Sequence, residues 1–315
     1  MFETMESRVE QLSLSVRNLS MIAAALKIRG NPEVDSRISN LITSSVESML
    51  DGDVEALDDQ EVSTLLKVIQ MSFAEASELL HNPARPPGWQ VVDPVLLQTQ
   101  GQASSAAFRR ILTLSIERPL LRKTLRGRFL DVGTGVAGIA LEAARCCPSL
   151  LVEGIDVWEP ALALARKNVQ ESPYDDRIKI KNLDVAKLAG EPLYTLVWLP
   201  TMFMRRSVVE TALDRIAMAS VRDAYLVAAR YTVPTDPAAA TFATLRTLRS
   251  GGDSISQSEM EDMILDRGFI DIETDVSPLA TFTLGRRLRR KGALALFLLN
   301  RCKITASRQG FLAEN

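Results

Sequence analysis

The residues best suited to chemistry lie in one short run, Phe129-Leu130-Asp131-Val132-Gly133-Thr134-Gly135-Val136-Ala137-Gly138. It stands between an apolar stretch that reads as a strand and a helical stretch, Ile139 to Cys147. Glycines at this spacing let the backbone turn sharply and let a ligand approach without meeting a Cβ. The helix that follows presents unsatisfied N–H groups, which suit a pyrophosphate as well as other ligands. The glycines alone therefore leave nicotinamide and flavin chemistry open.

Three carboxylates narrow the choice. Asp156 ends a second apolar run about 18 residues beyond Gly138, where a carboxylate accepts both hydrogen bonds of a ribose diol. Asp184 follows a third run in Lys181-Asn182-Leu183-Asp184-Val185, placed to receive the amino hydrogens of an adenine ring. Asp131 precedes the first glycine, so a negative charge sits where an ammonium or sulfonium is attracted and a pyrophosphate is repelled. Taken singly, each aspartate also reads as an ordinary turn or helix cap. Taken in register at the ends of three strands, they read as one ligand-binding edge.

The surrounding elements must form that edge. From Arg128 onward short apolar runs alternate with helical segments, which predicts βαβ units and a mainly parallel sheet. Strands are expected near Arg128 to Val132, Leu151 to Ile155, Ile178 to Asn182, Leu193 to Leu199 and Ala224 to Ala229. Gly268 to Val276 and Leu279 to Leu284 are expected to close the sheet as an antiparallel pair. Before residue 83 the pattern is helical: Ile38, Leu41, Ile42, Val46 and Leu50 recur at three- and four-residue spacing, as do Leu65, Leu66, Ile69 and Phe73. Asp58-Asp59-Gln60-Glu61 reads as a helix start and His81-Asn82-Pro83 as its end. Arg85-Pro86-Pro87-Gly88 cannot continue a helix, and Asp93-Pro94 begins the next. The expected division is residues 1–115 as a helical lid or dimerisation region, 116–290 as the α/β domain and 291–315 as a tail.

The ordered set of glycines and acids resembles the class I S-adenosylmethionine-dependent methyltransferases over about half the chain. The resemblance implies a doubly wound, seven-stranded, mainly parallel sheet of the Rossmann-like methyltransferase type with an N-terminal helical domain. It implies S-adenosylmethionine as cofactor, held by Asp131, Gly133, Gly135 and Gly138 at its methionine part, by Asp156 and Val157 at its ribose, and by Asp184 and Val185 at its adenine. The fourth strand ends in Trp198-Leu199-Pro200-Thr201-Met202-Phe203. Some subfamilies carry an Asp/Asn-Pro-Pro-aromatic motif here that positions an amino nitrogen. Its absence argues against a nucleic-acid base or protein amide as acceptor. Trp198, Pro200, Met202 and Phe203 are candidate acceptor-pocket residues, and they read equally as core. The N-terminal helices are similar to the substrate-capping lids of bacterial small-molecule methyltransferases of secondary metabolism, and they suit a homodimer interface. No catalytic base is assigned. Methyl transfer to oxygen, carbon or nitrogen of a small acceptor is the leading function; a cyclase, lyase or binding protein that keeps the cofactor without the transfer is the alternative.

Composition fits this reading. In 315 residues, 46% are hydrophobic and the net charge is −2, so there is apolar material for a full core and no field for a dedicated nucleic-acid binder. Cys146, Cys147 and Cys302 have neither metal-site nor disulfide spacing, and no metal is expected. The acidic residues of the N-terminus do not read as a secretion signal, and Ala293 to Leu299 is far short of a membrane span; a reducing cytoplasm is expected. His81, the one histidine, suits a helix C-terminus better than a general base. Gln98 and Gln100 face either ligand or solvent, Arg205 and Arg206 read as helix-start charges or a carboxylate site, and the basic run Arg286 to Lys291 reads as a solvated tail or an anionic-surface contact.

Overall fold

The computed structural model describes residues 4–50 and 54–288, in two compact units that divide between Arg85 and Pro86. The first unit is helical: α1 (Met5–Ile28), α2 (Ser36–Leu50) and α3 (Asp59–His81). Asp58 accepts from the Glu61 amide at 2.8 Å while Glu61 accepts from the Asp58 amide at 2.8 Å, a reciprocal cap that starts α3 where the sequence placed it. Ala25, Leu26, Val46, Val54 and Ile69 form the unit's core, with Ile42, Leu66 and Phe73 packed against it. Ile38, Leu41 and Leu65 belong to the same stripes but stay exposed.

The second unit contains α4 (Pro94–Ile116), α5 (Pro119–Thr124), β1 (Arg128–Val132), α6 (Gly138–Cys146), β2 (Leu151–Asp156), α7 (Glu159–Gln170), β3 (Ile178–Asn182) and β4 (Tyr194–Pro200). These are followed by α8 (Arg206–Ala219), β5 (Ser220–Tyr231), α9 (Pro237–Arg249), α10 (Gln257–Asp266), β6 (Phe269–Val276) and β7 (Ala280–Arg287). The described strands form one seven-stranded sheet in the order β3-β2-β1-β4-β5-β7-β6, with β7 antiparallel to both neighbours. Between β1 and β4 the winding reverses, which opens a crevice at the carboxyl ends of the strands. The strand alternation sends Phe129, Leu196, Trp198, Val227 and Phe282 to one face and Leu130, Val132, Val197, Leu199 and Leu226 to the other.

The expected boundary near residue 115 differs from the observed one. Helix α4 belongs to the α/β unit, because Phe108 and Ile111 are fully buried in its core and Phe108 lies 5.5 Å from Phe129. The close approach of α4 to α6 rests on two glycines. A Cβ at Gly138 would stand 1.9 Å from the Gly101 carbonyl oxygen, and one at Gly101 would stand 1.9 Å from Val136 Cγ2. The expected tail, 291–315, lies outside the described residues. No helix among the described residues is long and apolar enough to cross a membrane.

Gly138→Ala is expected to destabilise the ligand-free protein by about 1–3 kcal/mol, the usual cost of overpacking. Urea denaturation reads this directly. An unchanged midpoint would mean that the α4–α6 contact is not close packed.

Candidate active site

The loop after β1 is an unusual backbone. Gly133, Gly135 and Ala137 take φ values of 66°, 56° and 69°, three left-handed residues within five. For Gly133 and Gly135 the residue type removes the cost; Ala137 carries it. The loop is held by its neighbour strand: the Thr134 amide donates to the Ile155 carbonyl at 3.1 Å, and the Gly135 amide to Asp156 Oδ2 at 2.9 Å. A Cβ on Gly135 would meet nothing within 4 Å, so that position faces open space. One on Gly133 would lie 3.2 Å from Pro200 Cγ, which places the end of β4 beside the loop.

Asp131 is fully buried. Its Oδ2 accepts from the Thr134 hydroxyl at 2.7 Å, and its Oδ1 has no hydrogen-bond partner. Burial raises its pKa to about 7 and the nearby Asp156 charge adds to the rise, while the Thr134 hydrogen bond and the approach of the Ala140 backbone amide work against it. An orphaned acceptor of this kind fits a cationic or N–H-donating ligand group.

Asp156 organises the edge as well as presenting charge to it. Beyond Gly135, its Oδ1 accepts from the amides of Val157 at 2.7 Å and Trp158 at 2.9 Å. A carboxylate has about four acceptor directions, so a diol arriving here finds one unshared direction, not the two that the sequence led one to expect. Val157 is exposed. Asp184 is half-buried and accepts from the Ala186 amide at 2.9 Å, capping a short turn. The Leu183 amide donates to the Asp156 carbonyl at 2.9 Å, which ties the ends of β2 and β3. Val185, next to Asp184, buries its side chain in the core beside Leu130 and Val132. Gly138 stands against α4, as described, and its side faces away from open space. The three aspartates thus sit at the carboxyl ends of three adjacent strands.

The fourth-strand residues divide. Trp198 is buried, with its ring 5.1 Å from Phe282, and Met202 is buried as well; both are core. Pro200 meets the glycine loop, and Phe203 is 38% exposed at the edge. Phe203 stacks edge-on between Trp89 at 5.2 Å and Tyr231 at 6.1 Å. Trp89 and Tyr231 did not stand out in the sequence. Trp89 and Val91 also pack with Val136, Leu97 and Trp158, and the Trp158 indole donates to the Val91 carbonyl at 2.7 Å. The segment before α4 therefore crosses from the glycine loop to the end of β4. Trp89 follows Pro86-Pro87-Gly88, and a bulky aromatic after such a connector is the signal that could have found it.

Other candidates have structural jobs. Gln98 and Asn168 exchange amide hydrogen bonds at 2.9 and 3.0 Å, and Asn168 also donates to the Val136 carbonyl at 2.9 Å; Gln100 is exposed. The Arg206 amide donates to Asp253 Oδ2 at 2.8 Å and its guanidinium pairs with Glu259, while Arg205 stands at the N-cap position of α8 without a side-chain cap hydrogen bond. His81 Nδ1 lies 2.7 Å from the Ser77 carbonyl within the first unit. Arg286 bridges Asp223 and Asp271, and Arg287 donates to the carbonyls of Arg267 and Gly268; the rest of that basic run, from residue 289, lies outside the described residues. Among the described residues no group of His, Cys, Asp and Glu could hold a metal ion.

No family model matches the chain. Over 82 residues, 24% of this chain and 32% of that protein, it is 38% identical to the ubiquinone/menaquinone biosynthesis C-methyltransferase UbiE of Geobacter sulfurreducens. Over 75 residues, again 24% and 32%, it is 32% identical to the tRNA1(Val) (adenine(37)-N6)-methyltransferase of Pedobacter heparinus. These matches span about a third of the relatives' length. Among solved structures, the S-adenosylmethionine-dependent methyltransferase SibL matches 90% of this chain and 99% of its own at a TM-score of 0.62 and 17% identity. The pyocyanin biosynthetic protein PhzM matches 89% and 98% at 0.61 and 15%, and an O-methyltransferase family protein from Burkholderia thailandensis 91% and 99% at 0.61 and 12%. The fold is that of the class I S-adenosylmethionine-dependent methyltransferases. Sequence relatives and structural neighbours alike point to that class.

The raised pKa of Asp131 has two consequences of defined sign. In the free protein the protonated acid favours folding, so that contribution is full below the ordinary value of 3.8 and is lost as pH rises through about 7. A cationic ligand favours the carboxylate. S-adenosylmethionine binding should therefore strengthen as pH rises from about 5.5 to about 7, a range in which the ligand's own ammonium stays charged, with proton release on binding. Calorimetry in buffers of different ionisation enthalpy measures the release. In Asp131→Asn both the release and the slope are expected to vanish; their persistence would remove Asp131 from the site.

Proposed function

We propose that the protein transfers the methyl group of S-adenosylmethionine to a small organic acceptor at the carboxyl edge of β1, β2, β3 and β4. The observation that carries this reading is the buried, half-satisfied carboxylate of Asp131 beside the open left-handed loop at Gly135. A ligand with a positive centre, a ribose and an adenine meets Asp131, Asp156 and Asp184 in that order along the edge. The absence of an Asp/Asn-Pro-Pro-aromatic run at Leu199-Pro200-Thr201, with a net charge of −2, favours a small acceptor over nucleic acid, although the sequence relatives include tRNA methyltransferases.

When bound, S-adenosylmethionine supplies an electrophilic methyl carbon on sulfonium sulfur. The protein's own contribution is positioning and dryness. Asp131 holds the positive end, the Gly133 to Gly135 loop fixes the backbone around it, and Trp89, Phe203 and Tyr231 wall the acceptor side against water. In-line displacement gains most from near-attack geometry in such a site. No base is assigned, and an acceptor that ionises with modest help needs none. The N-terminal helices are read as a lid and a homodimer interface, and the cytoplasm as the place of action.

Mass spectrometry of small molecules retained by the purified protein, together with S-adenosylhomocysteine titration, tests the reading. Wild type should bind S-adenosylhomocysteine, and Asp156→Ala should weaken it by about tenfold or more, since a charged hydrogen bond and the loop's anchor are lost together. Equal affinity in a folded Asp156→Ala protein would sink the assignment.

Oligomeric state tests the interface. Sedimentation of the full chain should give a dimer, and a chain shortened to begin at Pro86 should give a monomer that still binds S-adenosylhomocysteine. A dimeric shortened chain would place the interface elsewhere.

A further inference from the structure

Resting on the reading that this edge carries out methyl transfer, one feature points to the acceptor's chemical class. Just beyond Pro200, a small half-open pocket is lined by Thr201, Met202, Arg230, Tyr231, Asp253 and Ser254. Arg230 is the penultimate residue of β5, at the carboxyl end where ligands of this fold bind. Its Nε is buried without a hydrogen-bond partner, and its one hydrogen bond is a long contact of 3.4 Å from Nη2 to Gln257 Oε1. No carboxylate forms an ion pair with it among the described residues. A half-buried guanidinium in this state lacks the oxygen partner that its planar fork is built to take.

The nearby acids are engaged elsewhere. Asp253 Oδ2 accepts from the Arg206 amide at the start of α8. Glu261, whose charge reaches Arg230, accepts from Gln257 and from the Thr274 hydroxyl, both at 2.9 Å. Thr201 gives its hydroxyl proton to the Ala229 carbonyl at 2.8 Å, so it offers no competing donor. The room inside is ≈ 20 Å³, which is enough for about one carboxylate oxygen and not for a ring. A ring must lie outside it. Tyr231 lines the pocket and Phe203 stands edge-on to its ring, with the Arg246 guanidinium 4.7 Å from the Tyr231 ring centroid. Partly exposed aromatic surface beside a half-buried cation suits a flat, anionic molecule.

We propose that Arg230 anchors the acceptor by a carboxylate and that the acceptor is an aromatic acid whose ring rests on Phe203 and Tyr231. Specificity then comes from the unmet guanidinium: an uncharged analogue leaves Arg230 desolvated and unpaired, whereas a carboxylate completes it.

The test uses the full chain and two probes of nearly equal shape, salicylate and salicylamide, titrated by ligand-observed NMR with and without S-adenosylhomocysteine. Wild type should bind salicylate about tenfold or more tightly than salicylamide. Arg230→Gln should bring the ratio close to one while S-adenosylhomocysteine affinity stays within about twofold. Arg230→Lys, which keeps the charge, should retain part of the preference and guards against misfolding of the glutamine variant. Absence of a carboxylate preference in wild type, or its survival in Arg230→Gln, would overturn the proposal. The two readings fail separately: a carboxylate preference in a protein that never binds S-adenosylhomocysteine keeps the Arg230 pocket and rejects methyl transfer, and the converse rejects the pocket alone.

Discussion

The site depends on the Asp156 carboxylate receiving three backbone N–H groups from two directions. One comes from Gly135, across the strand boundary, and two come from Val157 and Trp158, in its own loop. That set of bonds holds a backbone with three left-handed residues in five, one of them an alanine, whose conformational cost would otherwise favour other arrangements. The Ile155 carbonyl and the Leu183 amide extend the same tie to β1 and β3. Asp156 is thus the fastening of the loop that stands beside Asp131. A site assembled this way is organised before a ligand arrives, so little binding energy goes into ordering it.

The buried Asp131 is the counterpart of that rigidity. A carboxyl kept out of water with one oxygen unmet is costly, and the cost appears as its raised pKa. An arrangement that folding alone would not favour is expected where function demands it. Arg230 shows the same pattern at the other end of the crevice, with a buried nitrogen and no partner. The half-satisfied carboxyl of Asp131 and the guanidinium of Arg230, which has no ion-pair partner among the described residues, lie on either side of the β1–β4 reversal.

Much of this was legible in the sequence. The strands fall where short apolar runs separated by turn residues placed them, because period and punctuation are local signals. The three aspartates were legible because each ends such a run. Three things were not. Helix α4 was expected with the N-terminal region because its amphipathic pattern does not say which core it joins; the Gly101 to Gly138 contact decides that, and it links residues distant in the chain. Trp198, Met202 and Val185 were placed near ligand by position in the motif, yet strand alternation and packing turn them into the core. Trp89, Tyr231 and Arg230 went unnoticed because an aromatic wall and an unpartnered guanidinium exist only once distant segments meet.

On the proposed function, one preformed edge, fastened by Asp156, receives S-adenosylmethionine. Hydrogen exchange of the full chain with and without S-adenosylhomocysteine measures that most directly, because it reads the backbone amides of the edge themselves. Added protection is expected only at the amides of 131–138, 154–158 and 183–187, with the sheet interior unchanged. Protection at other segments with those three unaltered, or no change at saturating ligand, would contradict it.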